Sequence, residues 1–248
     1  MTDPDALVEL FDATAAAVHT AVRRIPLTER RARTDRAGQY ALDLVADAAA
    51  CAVLERAGVR IVSEESGVHE CDGAAITVVV DPVDGSTNCS RNIPYWATSL
   101  CALDADGALA ALVVNQATGS RTVAIRNEGA YRDGERLHAS PVRDVEGAMV
   151  HLAGAPRRVL PWKQYRALGC AALALCEVAA GSLDGNVDGG PWHAPWDYLG
   201  GYLACVEAGA VVYDAQGAPL VTDAVDARRQ IVAAGTRELA DALLQATT

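Results

Sequence analysis

Positive charge is scarce in this 248-residue chain. Lysine and arginine total 21, against 32 aspartates and glutamates, so the formal net charge at pH 7 is -11. A surplus of negative charge repels the phosphate backbone, so general nucleic-acid binding is not expected. Long apolar runs are also missing: none reaches transmembrane length, and the first residues do not have a signal-peptide pattern. These absences favour a cytoplasmic protein with no membrane partner.

Cysteine is present but lacks the spacing that builds a site. No C-x-x-C pair occurs among the seven cysteines, which are Cys51, Cys71, Cys89, Cys101, Cys170, Cys176 and Cys205. This favours reduced thiols in a cytosol over a disulfide framework or a zinc site. Repeats, low-complexity tracts and a clear linker are absent too. Hydrophobic residues make up 51% of the chain, enough for the core of one large domain or of two intimate lobes.

Hydrophobic periodicity predicts helices that alternate with groups of strands. A first helix begins near Pro4, and a second spans about 39–56 with Leu42, Val45, Ala49 and Val53 on its buried side. The remaining predictions are strands at 59–62, 76–81, 95–103, 108–116, 121–126, 129–132, 148–152, 211–213 and 230–233, helices at 169–180, 196–207 and 236–246, and loops at 67–75 and 181–195. This alternation is typical of layered α/β (α+β) packing.

The stretch that carries the chemistry is Asp81-Pro82-Val83-Asp84-Gly85-Ser86-Thr87-Asn88. The apolar, β-branched run 76–80 predicts a buried strand that delivers Asp81 to its carboxyl end. Two carboxylates converging on a turn held by proline and glycine repel each other and need cations between them. Carboxylate oxygens without histidine or cysteine favour Mg²⁺ over zinc. The amides of 85–87 can face an anion, so the stretch predicts a metal-assisted phosphate site rather than an acidic surface turn.

Residues 81–88 match throughout the core motif of the inositol monophosphatase family, and the chain resembles these magnesium-dependent, lithium-sensitive sugar phosphatases. Three further segments, in the same order along the chain, resemble other motifs of that family: 61–66, with Ser63 in place of the usual glycine, 166–172, and 196–210. The resemblance covers about residues 40–235 and implies an αβαβα sandwich of the sugar-phosphatase type. It implies one domain over 1–248, with two abutting lobes at about 1–145 and 146–248.

The resemblance also implies a set of metal ligands for two or three Mg²⁺ ions. The first ion would be held by Glu64, Asp81 and the carbonyl of Val83, and the second by Asp81, Asp84 and Asp197. A third, weaker ion would lie near Glu64. Taken alone, Glu64 and Asp197 could be ordinary surface carboxylates, but their register with the core motif favours the ligand role.

Three residues are expected to act on the attacking water. Asp47 and Ser86 resemble the family's Asp–Thr pair that orients it, and Glu64 is the third member of this catalytic set. The stretch around Asp47 is two residues shorter than the family's, so an ordinary helix-surface aspartate is the alternative.

Substrate contacts follow from the same resemblance. The predicted substrate-binding residues are Gly85, Ser86, Thr87, Gly169, Cys170, Ala171 and Asp188, the last at the position of a hydroxyl-binding glutamate in the family. His193 is either a substrate contact or a solvated loop residue. The family's lysine ahead of the Asp47 region has no clear counterpart here, and Arg31 or Arg33 is the candidate to take its place.

The expected function is Mg²⁺-dependent hydrolysis of inositol monophosphate or a similar small polyol phosphate, in a homodimer. Histidinol phosphate is the alternative substrate. A regulatory partner that kept the fold and lost activity is the alternative from another class. The full carboxylate set argues against it, because a binding module does not need four such ligands together.

Overall fold

A computed structural model describes residues 2–248. In these residues, six α-helices stand beside two β-sheets. The helices are α1 Pro4–Arg23, α2 Ala41–Leu54, α3 Ser86–Ser90, α4 Ala171–Ala179, α5 Pro195–Glu207 and α6 Arg237–Leu243. Short 3₁₀ turns follow α2 and α6, at Glu55–Ala57 and Leu244–Ala246. No helix in this part of the chain is both long and apolar enough to cross a bilayer.

The first sheet has eight strands in the order β2-β1-β3-β4-β5-β6-β7-β8. They are β1 Arg60–Ser63, β2 Gly67–His69, β3 Thr77–Asp84, β4 Ala97–Asp104, β5 Gly107–Asn115, β6 Arg121–Ile125, β7 Gly129–Arg132 and β8 Glu135–Arg136. β1 and β3 run parallel, and every other neighbouring pair is antiparallel. The predicted meander over 95–132 is confirmed, whereas β2 lies in a segment predicted to be a loop.

The second sheet has five strands in the order β10-β9-β11-β13-β12. They are β9 Met149–Ala153, β10 Gln164–Arg166, β11 Gly185–Asp188, β12 Val211–Asp214 and β13 Ile231–Ala234. The predicted loop 181–195 is wrong over β11, which is fully buried between β9 and β13. Gly185 and Asp188 are residue types depleted in strands, so the sequence pattern did not predict β11. A Cβ at Gly185 would lie 2.9 Å from the Ala233 carbonyl oxygen, so close strand packing requires glycine there.

The layers stack as helix, sheet, helix, sheet, helix. α1 and α2 cover one face of the first sheet, and α4 and α5 fill the space between the two sheets. α6 covers the outer face of the second sheet. This is the predicted αβαβα sandwich. The first sheet ends at Arg136 and the second begins at Met149; the boundary of the two lobes near residue 145 stays a prediction.

Helix α2 is turned differently from the prediction. Leu42 is buried as expected, but Val45 is 44% exposed, and the aspartates Asp43 and Asp47 are buried instead. The helix is apolar almost all round, so its hydrophobic pattern alone does not select a face. The buried carboxylates point to a polar neighbour under this helix.

Candidate active site

Strand β3 carries Asp81 and Asp84 into the interior, where they are 1% and 8% exposed. Three residues apart on a regular strand, their side chains would point to opposite faces. The pairing of β3 with β4 shifts register between them, because Pro82 cannot donate to the ladder. The Val83 amide donates to Asp81 Oδ1 at 2.9 Å and stabilises the irregular turn. This bulge brings both carboxylates to one point.

Glu64 reaches the same point through the parallel pairing of β1 with β3. Ser63 is in register with Val80, and the Glu64 amide donates to the Val80 carbonyl at 3.3 Å, so Glu64 lies beside Asp81. Burial raises the pKa of Asp81 well above its usual range, and the neighbouring Glu64 carboxylate contributes in the same direction.

Asp197 enters from α5, in the first turn of the helix. Its Oδ2 accepts the Ala194 amide at 2.6 Å and thereby caps the helix, and Pro195 occupies the first turn. Asp84 Oδ2 accepts the Ala172 amide at 2.6 Å and the Cys170 thiol at 3.0 Å, which attaches the start of α4 to the cluster.

Burial and mutual repulsion disfavour the ionised forms of the four carboxyls, Glu64, Asp81, Asp84 and Asp197. Burial and, second, the nearby carboxylates raise the pKa of Glu64 to about 8. Burial, partly offset by His193, raises the pKa of Asp197 to about 7. The pKa values of Asp81 and Asp84 are also raised, chiefly by burial. No three His, Cys, Asp or Glu side chains within residues 2–248 already stand in a coordination geometry. The donor set nonetheless fits hard divalent cations, which would remove this repulsion and favour the ionised carboxylates.

Ser86 lies close to Asp43, and the pairing of Ser86 with Asp47 on the attacking water stays a prediction. Burial raises the pKa of Asp43 to about 6, although the Ser86 hydroxyl acts to lower it. The same hydroxyl donates to the Val83 carbonyl at 3.1 Å. Asp47 instead accepts hydrogen bonds from the Ser63 hydroxyl and the Cys51 thiol.

Asp43 has a free acceptor at the cluster. Its Oδ2 accepts the Tyr40 amide at 2.8 Å, but its buried Oδ1 has no hydrogen-bond partner in the described chain. A buried acceptor without a partner is costly unless water or a ligand satisfies it. Arg33 lies close enough to lower the pKa of Asp43, so of the two arginines considered from the sequence it is the one near the site. Asp43 was not among the predicted site residues, because the stretch is two residues shorter there than the family's motif.

Gly85 begins α3 in a left-handed conformation, with φ at +87°. A Cβ on it would lie 3.0 Å from the Gly169 carbonyl and 3.3 Å from Cβ of Cys170. Asn88 ties the same segments together, since its side-chain amide donates to the carbonyls of Tyr95 and Leu168 at 2.7 and 2.8 Å. The predicted residues 85–87 and 169–171 therefore meet at the carboxylate cluster, where the first amides of α3 are not used inside the helix.

A cavity of about 530 Å³ adjoins Asp84. It is lined by Asp84, His151, Leu152, Ala153, Gly154, Ala167, Gly169, Cys170, Ala171, Trp192 and His193. The predicted substrate residues 169–171 form one wall. Trp192 was not predicted as a site residue, because a tryptophan in a glycine-rich loop is usually a packing residue.

Asp188 lies behind this cavity, 1% exposed at the end of β11. Its Oδ2 binds His193 Nδ1 at 2.5 Å and accepts the Ile231 amide at 2.8 Å, while its Oδ1 accepts from Asn186. Although burial opposes the charge, the Asp188 carboxylate raises the pKa of His193 to about 9. His193 thus reaches the cavity, and its role as a substrate contact stays a prediction, as does that of Asp188.

A layered αβαβα fold with a buried carboxylate cluster beside a glycine-initiated helix defines a metal-dependent phosphatase. The family model "Inositol monophosphatase family" matches residues 6–248, and the chain belongs to that family. It is a phosphoric monoester hydrolase.

Several known proteins are similar over most of the chain. An Archaeoglobus fulgidus protein named fructose-1,6-bisphosphatase/inositol-1-monophosphatase is 33% identical over 243 residues, which is 93% of this chain and 94% of that protein. The Nus factor SuhB of Salmonella typhimurium is 32% identical over 172 residues, 63% of each chain. A solved inositol monophosphatase–fructose 1,6-bisphosphatase structure is 26% identical, with a TM-score of 0.85 over 96% of this chain and 98% of the other.

Proposed function

We propose that this protein is a Mg²⁺-dependent phosphomonoesterase that hydrolyses inositol monophosphate or a similar small polyol phosphate. The observation that carries the proposal is the convergence of Glu64, Asp81, Asp84 and Asp197 beside the amides that begin α3. These carboxylates and the Val83 carbonyl would hold two or three Mg²⁺ ions. The ions would supply Lewis acidity, lowering the pKa of water and offsetting charge on the phosphoryl group and the leaving oxygen.

Asp43 and Ser86 orient the attacking water in this proposal. The partnerless Oδ1 of Asp43 accepts a hydrogen bond from the water, and the Ser86 hydroxyl fixes its position from the other side. Asp43 takes over the role predicted for Asp47, whose oxygen is occupied by Ser63. The pKa of Asp43, near 6, leaves it ionised and able to accept at neutral pH.

The phosphoryl oxygens lie against the amides of residues 85–87, which donate without rearrangement because Gly85 fixes the start of α3. The alcohol part of the substrate extends from Asp84 into the adjoining cavity, along the wall formed by 169–171. Asp188 lies one layer further out, and we propose that it acts on substrate by holding His193 at the cavity.

The substrate assignment draws on the A. fulgidus relative, whose name includes inositol-1-monophosphatase. The test is a panel of inositol 1-phosphate, histidinol phosphate, fructose 1,6-bisphosphate and a nucleoside monophosphate, each with Mg²⁺, with EDTA, and with tens of millimolar Li⁺ at constant ionic strength. We expect inositol 1-phosphate to give the highest kcat/KM, with loss of turnover in EDTA and inhibition by Li⁺. A clear preference for histidinol phosphate would show that this ester, not inositol 1-phosphate, is the substrate. No turnover of any ester would contradict the proposed function.

A regulatory role is the second candidate, and the similarity to Nus factor SuhB proteins favours it. A regulatory role predicts that the phenotype of cells lacking the protein is restored equally by the wild-type chain and by the Asp81→Asn variant. Rescue by the wild type alone would support the enzymatic role. The homodimer that the resemblance implies stays a prediction, and light scattering after gel filtration tests it.

A further inference from the structure

Trp192 is a large aromatic side chain in the lining of a cavity proposed to bind a polyol. Its side chain is 49% exposed at the mouth of the cavity that contains Asp84. A half-exposed indole that touches only solvent would sample several rotamers. Trp192 lines the cavity, and its six-membered ring lies against Gly154 and Gly190.

Two glycines hold the indole in place. A Cβ on Gly154 would lie 2.7 Å from Cζ2 of Trp192, and a Cβ on Gly190 would lie 2.7 Å from Cε3. Neither position accepts a side chain while the ring stays where it is. Gly189 packs equally closely on the Ala155 carbonyl, so the loop that carries Trp192 is fastened to the end of β9. The close packing of Gly154 and Gly190 therefore restricts the room that the ring has on that side.

The other polar side chains of the cavity are mostly engaged. His151 binds Asn186 through Nδ1 at 2.7 Å and accepts the Leu168 amide through Nε2 at 3.2 Å. The Cys170 thiol donates to Asp84. Within residues 2–248, and apart from the second Asp84 oxygen in the carboxylate cluster, this leaves the indole N–H of Trp192 and Nε2 of His193 without protein partners among the cavity side chains. Trp192 is therefore the large aromatic side chain of a cavity whose other lining includes several small or apolar residues.

We propose that Trp192 is a stacking platform for the alcohol part of the substrate, and that the enzyme selects phosphate esters whose alcohol carries a ring. This deepens the proposed phosphatase function and rests on it. A ring contacts the indole through its flat face, whether an aromatic π face or the C–H face of a saturated ring. An acyclic alcohol such as glycerol has no such face and would lose little without the platform.

The activity test compares Trp192→Ala, Trp192→Phe and the control Tyr165→Ala, which removes an aromatic side chain that is 58% exposed but does not line the cavity. For ring substrates, inositol 1-phosphate and histidinol phosphate, Trp192→Ala should lower kcat/KM about tenfold, mainly through KM. Glycerol 2-phosphate should change less than about twofold. Trp192→Phe should restore most of the loss, and Tyr165→Ala should behave as wild type. The two ring substrates distinguish a saturated from an aromatic occupant.

A binding test separates this inference from the proposed reaction. Calorimetry with Mg²⁺ present measures the dissociation constants of benzylphosphonate and methylphosphonate, whose carbon–phosphorus bonds resist hydrolysis. Trp192→Ala should weaken benzylphosphonate about tenfold and leave methylphosphonate unchanged. Equal effects on both ligands, or no effect on either, would overturn the platform even if the enzyme is active. Failure of the wild type to hydrolyse any ester would instead contradict the proposed function, while the calorimetric difference would still support the platform.

Discussion

At the scale of single residues, the site depends on where each carboxylate finds its partners. Asp81, Asp84 and Asp197 each have one oxygen tied to a backbone amide, which leaves the remaining oxygens to face one another. Asp43 follows the same pattern and has a free oxygen, whereas Asp47 is held by Ser63 and Cys51. The hydrogen bonds, not the residue type, therefore distinguish Asp43 from Asp47.

The two aspartates of α2 form a matched pair for a test of the water-orienting role. Asp43→Asn should lower kcat by about a hundredfold or more with little change in KM, because the acceptor for the attacking water is lost. Asp47→Asn should keep near-normal kcat, since that side chain binds Ser63. Steady-state kinetics on one substrate decides between them, and the reverse ranking would return the role to Asp47.

A second residue-scale prediction concerns Asp81. Asp81→Asn should reduce hydrolysis to the detection limit, because this residue touches both proposed cation positions. The metal-free variant should unfold at the same or a higher temperature than the wild type, by about 2–4 °C for each kcal/mol of repulsion relieved. Activity and thermal unfolding are measured on the same preparation. Near-normal turnover at saturating Mg²⁺ would exclude Asp81 as a ligand.

At the scale of elements, two local irregularities shape the site: the bulge in β3 and the left-handed glycine that begins α3. The bulge rotates Asp84 onto the face of Asp81. Gly85 then lets the chain turn within 3.0 Å of the Gly169 carbonyl. Neither feature is regular secondary structure, and both are positions where a close approach replaces ordinary packing.

Gly85→Ala tests the close approach against a control. Gly217 has a similar left-handed φ of +77°, but a Cβ there would meet nothing within 4 Å. Both substitutions should cost about 1–2 kcal/mol of backbone strain. Gly85→Ala should lose additional stability and lower kcat, since the α4 start must move away from Asp84. Thermal unfolding and kinetics measure both effects. Equal behaviour of the two variants would show that the contact with Gly169 does not matter.

Strand β11 carries the next prediction, at Asp188. Asp188→Asn breaks a buried pair with His193, and removal of one partner of such a pair typically costs about 3–5 kcal/mol. We expect a lower unfolding temperature and similar losses of kcat/KM on inositol 1-phosphate and p-nitrophenyl phosphate. A rise in KM confined to the polyol ester would instead assign Asp188 to a substrate hydroxyl.

At the scale of the whole molecule, the site forms where three layers of the sandwich meet. β1 and β3 belong to the first sheet, and α4 and α5 belong to the middle layer. β9 and β11, in the second sheet, carry the far wall of the cavity. Folding brings four acids together without a protein cation for each, so stability and metal binding are linked.

This linkage gives a pH dependence with a definite sign. The pKa of Glu64 is raised to about 8 and that of Asp197 to about 7, so the metal-free folded state binds more protons than the unfolded state between about pH 4 and 8. Stability should fall as pH rises through this window, by about 5 °C or more in unfolding temperature.

Mg²⁺ should oppose that fall, because it binds the ionised carboxylates and its stabilising effect grows with pH. Asp81→Asn should flatten the pH profile of the metal-free protein, since fewer carboxyls compete for protons. Calorimetric scans at several pH values, with EDTA or with Mg²⁺, measure both effects. A metal-free protein that is most stable at pH 8 would contradict the coupled cluster.

The sequence by itself determined the family and the layered fold, and it predicted the main acids of the site. The run 76–80, the motif 81–88 and the Trp196-Asp197 segment are local patterns, and each lies within one element or its end. Hydrophobic periodicity and motif order therefore predicted the meander, α5 and the four carboxylates without knowledge of the contacts between elements.

Tertiary structure alone decided which acids meet and which face of α2 is buried. Asp43 and Asp47 lie on the same buried face of one apolar helix, and the neighbours supplied by Ser86 and Ser63 distinguish them. β11 was predicted to be a loop because its own residues do not form a strand pattern. It is buried because β9 and β13 pair with it on both sides. Trp192 became a cavity wall because Gly154, distant in sequence, packs against it. Each of these outcomes is a contact between distant segments, which local sequence pattern does not encode.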